Sequence, residues 1–320
     1  MTQPSAVSTP SLASAPTVVV DSITKRFGST EVVSALSFDV RPHEILGFLG
    51  PNGAGKTTTM RMILDIIRPD SGAISVFGKP AGVEHQGRIG YLPEDRGLYR
   101  DVPIIETLAY FGALRGLSTS EARKRATKLL TEVGLGDDLT KKGAELSRGM
   151  HQKAQLVATI INDPDLLIVD EPFQGLDPVN AQMLKELLLA QRDRGAAVVM
   201  STHDMEDAQL LCDRILLIDQ GKRLLYGRVD DVRHAFSDGA VEVVGKDLPT
   251  DTDTLAAASH ATAYDGSVRY LLRDGRTAQD LFRELAATPA EIERFAVEAP
   301  NLAEIFVRVV AGDARSEAVA

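Results

Sequence analysis

From Thr17 the chain alternates. In "TVVVDSITKRF" and "EVVSALSFDV" apolar and polar positions trade places among β-branched residues, with "GST" between them, which predicts two antiparallel strands joined by a tight turn. The alternation then stops. "EILGFLG" is a continuous apolar run ending in glycine, and in "KTTTMRMILDII" the residues Met60, Ile63, Leu64 and Ile67 recur at helical spacing, so a buried strand, a turn and a helix follow one another. Between Pro103 and about Ile161 the pattern is mostly helical, with "LLTEVGL" and "QLVATII" carrying apolar faces. "DLLIVDE" and "AAVVMSTH" then flank the helical "NAQMLKELLLAQRD"; near-continuous apolar runs of this kind belong to parallel strands covered on both faces. Around Arg228 to Ser237 the signal changes. "AVEVVG", "ATAYDGSVRYLL", "TAQDLFRELA", "EIERFAVE" and "NLAEIFVRVV" predict β, a β-hairpin about Asp265-Gly266, α, β and α. No internal repeat is visible.

The fold class is therefore α/β, followed by a separate small α+β domain. The expected division is a tail over 1–16, a main domain over 17–230, the small domain over 231–312 and a second tail over 313–320. The first tail, "MTQPSAVSTPSLASAP", has no charged side chain and little to bury, which predicts disorder. It lacks the basic start and apolar core of a secretory signal. With 320 residues, 44% of them hydrophobic, the chain can bury two cores. A net charge of −10 provides no overall footprint for nucleic acid, which needs a basic face. The single cysteine, Cys212 in "QLLCDRILLI", rules out an intramolecular disulfide and reads as a small buried hydrophobe. Apolar runs such as Leu166 to Val169 are far short of the roughly 20 residues that span a bilayer, so any work at a membrane needs a membrane part from another chain.

Chemistry concentrates in a few stretches. "GPNGAGKT", Gly50 to Thr57, fits G-x-x-x-x-G-K-[ST] between a predicted strand and helix, the context in which that motif cradles phosphate. Gly53 and Gly55 let successive N–H groups face one anion at a helix N-terminus. Lys56 is expected to reach the β- and γ-phosphates and Thr57 to bind magnesium through its hydroxyl. Asp170 ends the buried strand "LLIVDE", a place where a carboxylate is costly unless a cation such as magnesium meets it. Glu171 follows, placed to take a proton from water attacking the γ-phosphate. His203 ends the next apolar strand, at the same carboxyl edge by strand-order logic, as a γ-phosphate contact.

These residues, in this order, resemble the ATP-binding subunit of an ABC transporter over about Thr17 to Asp230. The series comprises Phe27 in "KRFG" as adenine platform, the loop from Gly50 through Pro51, Asn52, Gly53, Ala54, Gly55, Lys56 and Thr57 to Thr58, and Glu94 in "YLPEDRGLY". It continues with Ser147, Arg148 and Gly149 in "LSRGM", then "LLIVDE", Asp177 in "GLDP", and His203. The resemblance implies a P-loop ABC ATPase fold: a mixed sheet core, a helical subdomain and an antiparallel β subdomain. It implies ATP and Mg²⁺, the latter on Thr57, Asp170 and Glu94. It also implies a homodimer or heterodimer of ATPase subunits in which Ser147 and Gly149 bind the γ-phosphate of an ATP held by the other subunit. A separate multi-span membrane permease, a place on the cytoplasmic face of the membrane and no nucleic acid partner follow. Ser147 is also expected to cap its own helix.

Three positions depart from the family pattern Leu-Ser-Gly-Gly-Gln and its Q-loop glutamine. Arg148 replaces a glycine, either adding charge beside a phosphate or pointing to solvent, and Met150 removes an amide. Glu94 stands where glutamine is usual, keeping an oxygen for the ion but losing a donor. Such "LPE" loops, and the "PNLAEIF" of Pro300 to Phe306, are similar to the ATPases of two-component exporters of the sodium-efflux type, which carry a small C-terminal domain. That domain has no cluster of catalytic type here: His260 is isolated, and Thr277 with Asp280 reads as a capping pair. Exporter ATPase is the leading reading, and a soluble ABC ATPase acting on ribosome or nucleic acid is the alternative.

Overall fold

The computed structural model describes residues 15–94, 97–237, 239–264, 266–297 and 299–312. The expected tails, apart from residues 15 and 16, and the turn position Asp265 lie outside the described residues. The chain divides into two compact units, one running through Tyr226 and one starting at Gly227, against the boundary expected after Asp230.

The first unit opens with the predicted antiparallel pair, β1 (Val18–Phe27) and β2 (Thr30–Val40). The buried strand β3 (Ile45–Leu49) and the helix α1 (Lys56–Ile63) follow. After them come β4 (Ser71–Val76), β5 (Lys79–Pro80) and β6 (Ile89–Leu92). Helix α1 stops short of the apolar spacing that suggested it. Asp65 takes φ 54°, and the N–H groups of Ile66 and Ile67 both donate to the Arg61 carbonyl, closing the helix in a turn. Leu64 and Ile67 still pack on the core from that turn, so the hydrophobic period outlasts the helix. The helical region holds α2 (Ile104–Leu114), α3 (Thr119–Glu132) and α4 (Arg148–Ile160) around their own apolar cluster, which includes Leu108, Leu130 and Val157.

The remainder of the unit alternates β7 (Leu166–Asp170), α5 (Pro178–Arg194), β8 (Ala197–Thr202), α6 (Met205–Leu211), β9 (Arg214–Asp219) and β10 (Lys222–Arg228). A six-stranded sheet in the order β10-β9-β3-β8-β7-β6 forms the centre, with β9, β3, β8, β7 and β6 pairing in parallel. Every residue of β3, β7 and β8 is buried, as continuous apolar runs covered on both faces require. A four-stranded sheet, β2-β1-β4-β5, packs its apolar side into the same core through Val20, Phe38 and Val76. The parallel register has one consequence for function: the carboxyl ends of β3, β6, β7 and β8 open on a single edge, where ligands bind in open α/β sheets. Cys212 is buried, and burial pushes its thiol well above the ordinary range, as suits a structural position.

A polar network ties β2 to β9 and β10. Arg214 donates to both carboxylate oxygens of Asp39, at 3.0 and 3.2 Å, and to Glu44 at 3.1 Å. The Tyr226 hydroxyl donates to Asp39 Oδ1 at 2.8 Å. Burial works to raise the Asp39 pKa, but the bonds from Arg214, Tyr226 and Arg41 outweigh it and hold the group at about 2. Because the folded value lies below the ordinary 3.8, this contribution is present above the unfolded value and is lost as pH falls through about 2. Asp39→Asn is therefore expected to lower stability at neutral pH and to flatten the loss between pH 4 and 2, which urea unfolding at stepped pH measures.

The second unit contains α7 (Val229–Ala235), β11 (Ala240–Lys246), β12 (Ala258–Tyr264), β13 (Ser267–Leu272), α8 (Ala278–Ala286), β14 (Glu291–Val297) and α9 (Leu302–Val310). Its antiparallel sheet runs β12-β13-β11-β14. Val241, Val243, Tyr270 and Leu281 share its core. Thr277 and Asp280 form the expected reciprocal cap at the start of α8. Among the described residues no helix is long and apolar enough to cross a membrane.

Candidate functional site

The loop between β3 and α1 is built to hold an anion. Gly55, at φ 105°, is the N-cap of α1 and offers no side-chain acceptor to the helix. A Cβ there would stand 2.7 Å from the Val32 carbonyl oxygen, so only glycine fits. Helix geometry leaves the first-turn N–H groups of Lys56, Thr57 and Thr58 without intrahelical partners, and their dipole favours negative charge. Lys56 is 7% exposed. Its Nζ donates to the Gly50 carbonyl at 2.6 Å and the Pro51 carbonyl at 3.2 Å, and lies 3.9 Å from Glu171 Oε1. Burial lowers the pKa of this ammonium, while Glu171, Asp170 and Glu94 act in the opposite direction. A cavity of about 360 Å³ opens over the loop from Pro51 to Thr58, with Val32, Glu94, Asp170, Glu171 and Gln174 completing its wall.

Facing the loop, Asp170 ends β7 and is 2% exposed. Thr57 Oγ1 donates to its Oδ2 at 2.9 Å, and Ser201 Oγ donates to its Oδ1. The same Ser201 Oγ accepts from the Glu171 N–H at 3.0 Å. Glu171 itself takes φ 48° and forms part of the cavity wall. Its Oε2 lies 3.0 Å from His203 Nδ1, and its Oε1 is buried with no hydrogen-bond partner among the described residues. A buried carboxylate oxygen without a hydrogen bond at the mouth of a phosphate cradle, even with an ammonium 3.9 Å away, is costly unless a donor such as water meets it. Among the described residues no three His, Cys, Asp or Glu side chains cluster as a metal site. The Thr57 hydroxyl and Asp170 carboxylate instead fit magnesium, a hard cation that takes one or two protein oxygens and completes its shell with phosphate oxygens and water.

The other expected residues lie apart from this cavity. Phe27 is 51% exposed at the end of β1, with Lys25 Nζ 5.7 Å from its ring centroid, and it does not line the cavity. Ser147 caps α4, accepting from the Met150 N–H at 3.3 Å. Arg148 meets neither a phosphate cradle nor open water alone: its Nη2 donates to the Gln174 carbonyl at 3.2 Å. Gly149 approaches Asn180, whose Nδ2 would lie 3.1 Å from an added Cβ. Met150 packs on the helical cluster, which explains an apolar residue where an amide is usual. Asp177 caps α5, accepting from the N–H groups of Val179 and Asn180 at 3.1 and 3.0 Å. Sequence reasoning missed Ser201 and Gln174. The one signal for Ser201 was a hydroxyl inside an otherwise apolar strand; Gln174 carried none.

A glycine-rich cradle between a parallel strand and a helix, faced by Asp170 and Glu171 at the carboxyl end of the next strand but one, defines a P-loop nucleotide-binding domain. Comparison with known proteins narrows the class. Residues 33–174 match the ABC transporter family, and residues 227–310 match the family described as ATP-binding protein DrrA1-3-like, C-terminal domain. The chain is 34% identical over 299 residues to the ABC transporter ATP-binding protein YhaQ of Bacillus subtilis, covering 92% of this chain and 98% of the relative. It is also 34% identical over 312 residues to the Nod factor export ATP-binding protein I of Ralstonia nicotianae, covering 96% and 97%. Among solved structures, an ATP-binding subunit of an ABC transporter superposes with TM-score 0.64 at 33% identity, over 68% of this chain and 92% of that one. CbiO1 of Clostridium perfringens, at 24% identity and TM-score 0.62 over 68% and 90%, shares the fold. The chain belongs to the ATP-binding proteins of ABC transporters.

Proposed function

We propose that this protein is the ATP-hydrolysing subunit of an exporter, closing as a dimer around two ATP molecules and driving a separate multi-span permease from the cytoplasmic face of the membrane. The observation that carries the reading is the pair Lys56 and Glu171 in the wall of one cavity, with His203 bonded to Glu171 and Ser147 and Gly149 outside the cavity wall. Within one chain the signature has no phosphate to meet. A second copy facing it head to tail completes both sites. In this reading the cassette occupies about 17–230 and the small α+β domain 231–312, and Phe27 stacks on adenine while Asp177 faces the other subunit.

The chain's own residues divide the work. The loop N–H groups and Lys56 fix the β- and γ-phosphates. Thr57 and Asp170, with Glu94 nearby, would hold magnesium, which when bound would neutralise charge on the phosphate oxygens. Glu171 Oε1 takes a proton from the attacking water as the bond between the γ-phosphorus and the bridging oxygen breaks and ADP leaves. His203, bonded to Oε2, holds that carboxylate in line and reaches the γ-phosphate. Ser201 fixes the backbone of Glu171 and the carboxylate of Asp170 together.

Two features support the rest. A surface cavity of about 360 Å³ lined by Leu64, Ile66, Tyr91, Phe111 and Leu114, with Ile66 and Leu114 58% and 65% exposed, suits an apolar segment of a permease. Export follows the relatives named for Nod factor export. Glu94→Gln is expected to retain ATP turnover, because the amide keeps one oxygen toward the cavity; a loss as large as that of Glu171→Gln sinks the assignment of Glu94 as a replaceable ligand. The test of the whole reading is to tag the Glu171→Gln form in its own cell, solubilise membranes in mild detergent with ATP, and identify what co-purifies. Recovery of a multi-span membrane protein is expected. Recovery from the soluble fraction with ribosomes or nucleic acid overturns it.

A further inference from the structure

The start of α4 is joined at three points to the segment after β7, two on the turn that follows the strand and one on α5. Arg148 Nη2 donates to the Gln174 carbonyl at 3.2 Å, Gln152 Nε2 donates to the Pro172 carbonyl at 2.9 Å, and Gly149 rests against Asn180. Between these points the turn holds itself, with Gln174 N–H donating to the Glu171 carbonyl and Leu176 N–H to that of Phe173, each at 3.2 Å. Gly175 sits beneath the arginine at φ 69°, and the position of a Cβ on it is already taken: Arg148 Cζ and its two terminal nitrogens lie 2.2 to 2.5 Å from that point. Any side chain at 175 would push the guanidinium off Gln174. The turn so braced begins at Glu171, and Gln174 also forms part of the cavity wall.

From this geometry we infer that Arg148 is a positioning residue, a strut that locks the signature helix to the turn carrying Glu171. The inference rests on the shared-site reading for its consequence. One end of the strut belongs to the element that meets the other subunit's ATP, and the other end to the element that carries the base for this subunit's own ATP. Closure on one nucleotide thus sets the geometry at the second. Arg148 and Gln174 are exposed in one chain, where water weakens such a bond. A facing subunit would exclude that water and strengthen it. Arg148 acts through the turn and not on phosphate, since its donor is directed to a backbone carbonyl of its own chain.

The test compares Arg148→Met, Arg148→Lys and Gly175→Ala in the full chain. Small misplacements of a base are costly, so Arg148→Met is expected to lower kcat by roughly tenfold, with KM for ATP changed by less than about twofold. Arg148→Lys restores a donor and recovers most of the loss. Gly175→Ala lowers kcat as Arg148→Met does, and adding it to Arg148→Met costs little more. In urea unfolding the two positions show a coupling of at least about threefold in the folding equilibrium. If KM rises with kcat unchanged, Arg148 meets phosphate and the strut is overturned; additive effects of the two substitutions overturn it as well. The reading beneath is checked separately by light scattering: if Glu171→Gln stays monomeric with ATP, the shared site fails, while the unfolding cycle still decides whether the strut exists.

Discussion

Replacing Glu171 by glutamine lowers ATP turnover by roughly 10²–10⁴-fold, the range of a lost general base, while nucleotide binding persists. The structure gives the reason for both halves. Glutamine keeps the length of the side chain and an oxygen that His203 can still meet through Nδ1, now bonded to Oε2 at 3.0 Å. It cannot take a proton where Glu171 Oε1 now stands without a hydrogen bond. The phosphate cradle is untouched, because its groups are the loop N–H groups and Lys56. Single-turnover phosphate release against a fluorescent-nucleotide titration separates the two effects. Equal losses in turnover and binding would mean that Glu171 serves the fold of the site and not the proton.

Lys56→Met should produce the opposite pattern, weakening ATP affinity by roughly ten- to hundredfold, as expected when a charged donor to phosphate is lost. Methionine fills most of the volume, so the buried position stays packed. What disappears is the positive charge 3.9 Å from Glu171 Oε1, together with the donor that now satisfies the Gly50 and Pro51 carbonyls. Two carboxylates, Asp170 and Glu171, then face an incoming triphosphate without a counter-charge from the loop. Titration of the same fluorescent nucleotide checks the shift, and affinity within about twofold of the parent protein would remove Lys56 from the phosphate site.

The features legible in the sequence are those in which chemistry and element coincide. Gly50 to Thr57 could be placed because a strand pattern and a helix pattern abut it, and Asp170 and His203 because each closes an apolar run that must be a parallel strand. Their meeting at one sheet edge follows from that topology alone. The unread features depend on register and approach. Ser201 bridges Asp170 and Glu171 only because β7 and β8 pair Asp170 with Ser201, and a shift of one residue would send it to the other face. Arg148 reaches Gln174 because α4 packs beside the turn after β7, across 26 residues of sequence. The end of α1 is masked in the sequence for a related reason: Leu64 and Ile67 keep an apolar period although Asp65 has left the helix.

The bare N-cap of α1 has a thermodynamic consequence. Most helices finish their first turn with a serine, threonine or aspartate from their own chain, as Ser147, Asp177 and Thr277 do here. Gly55 supplies nothing, so the anion that occupies the loop becomes the cap. Occupancy and the local order of that turn are then a single linked equilibrium: each rise in ligand concentration above its dissociation constant adds stability by mass action. That increment falls first on the amides of Lys56, Thr57 and Thr58. In the exchange of those three protons with solvent, the nucleotide leaves a record of its presence before any bond in it is broken.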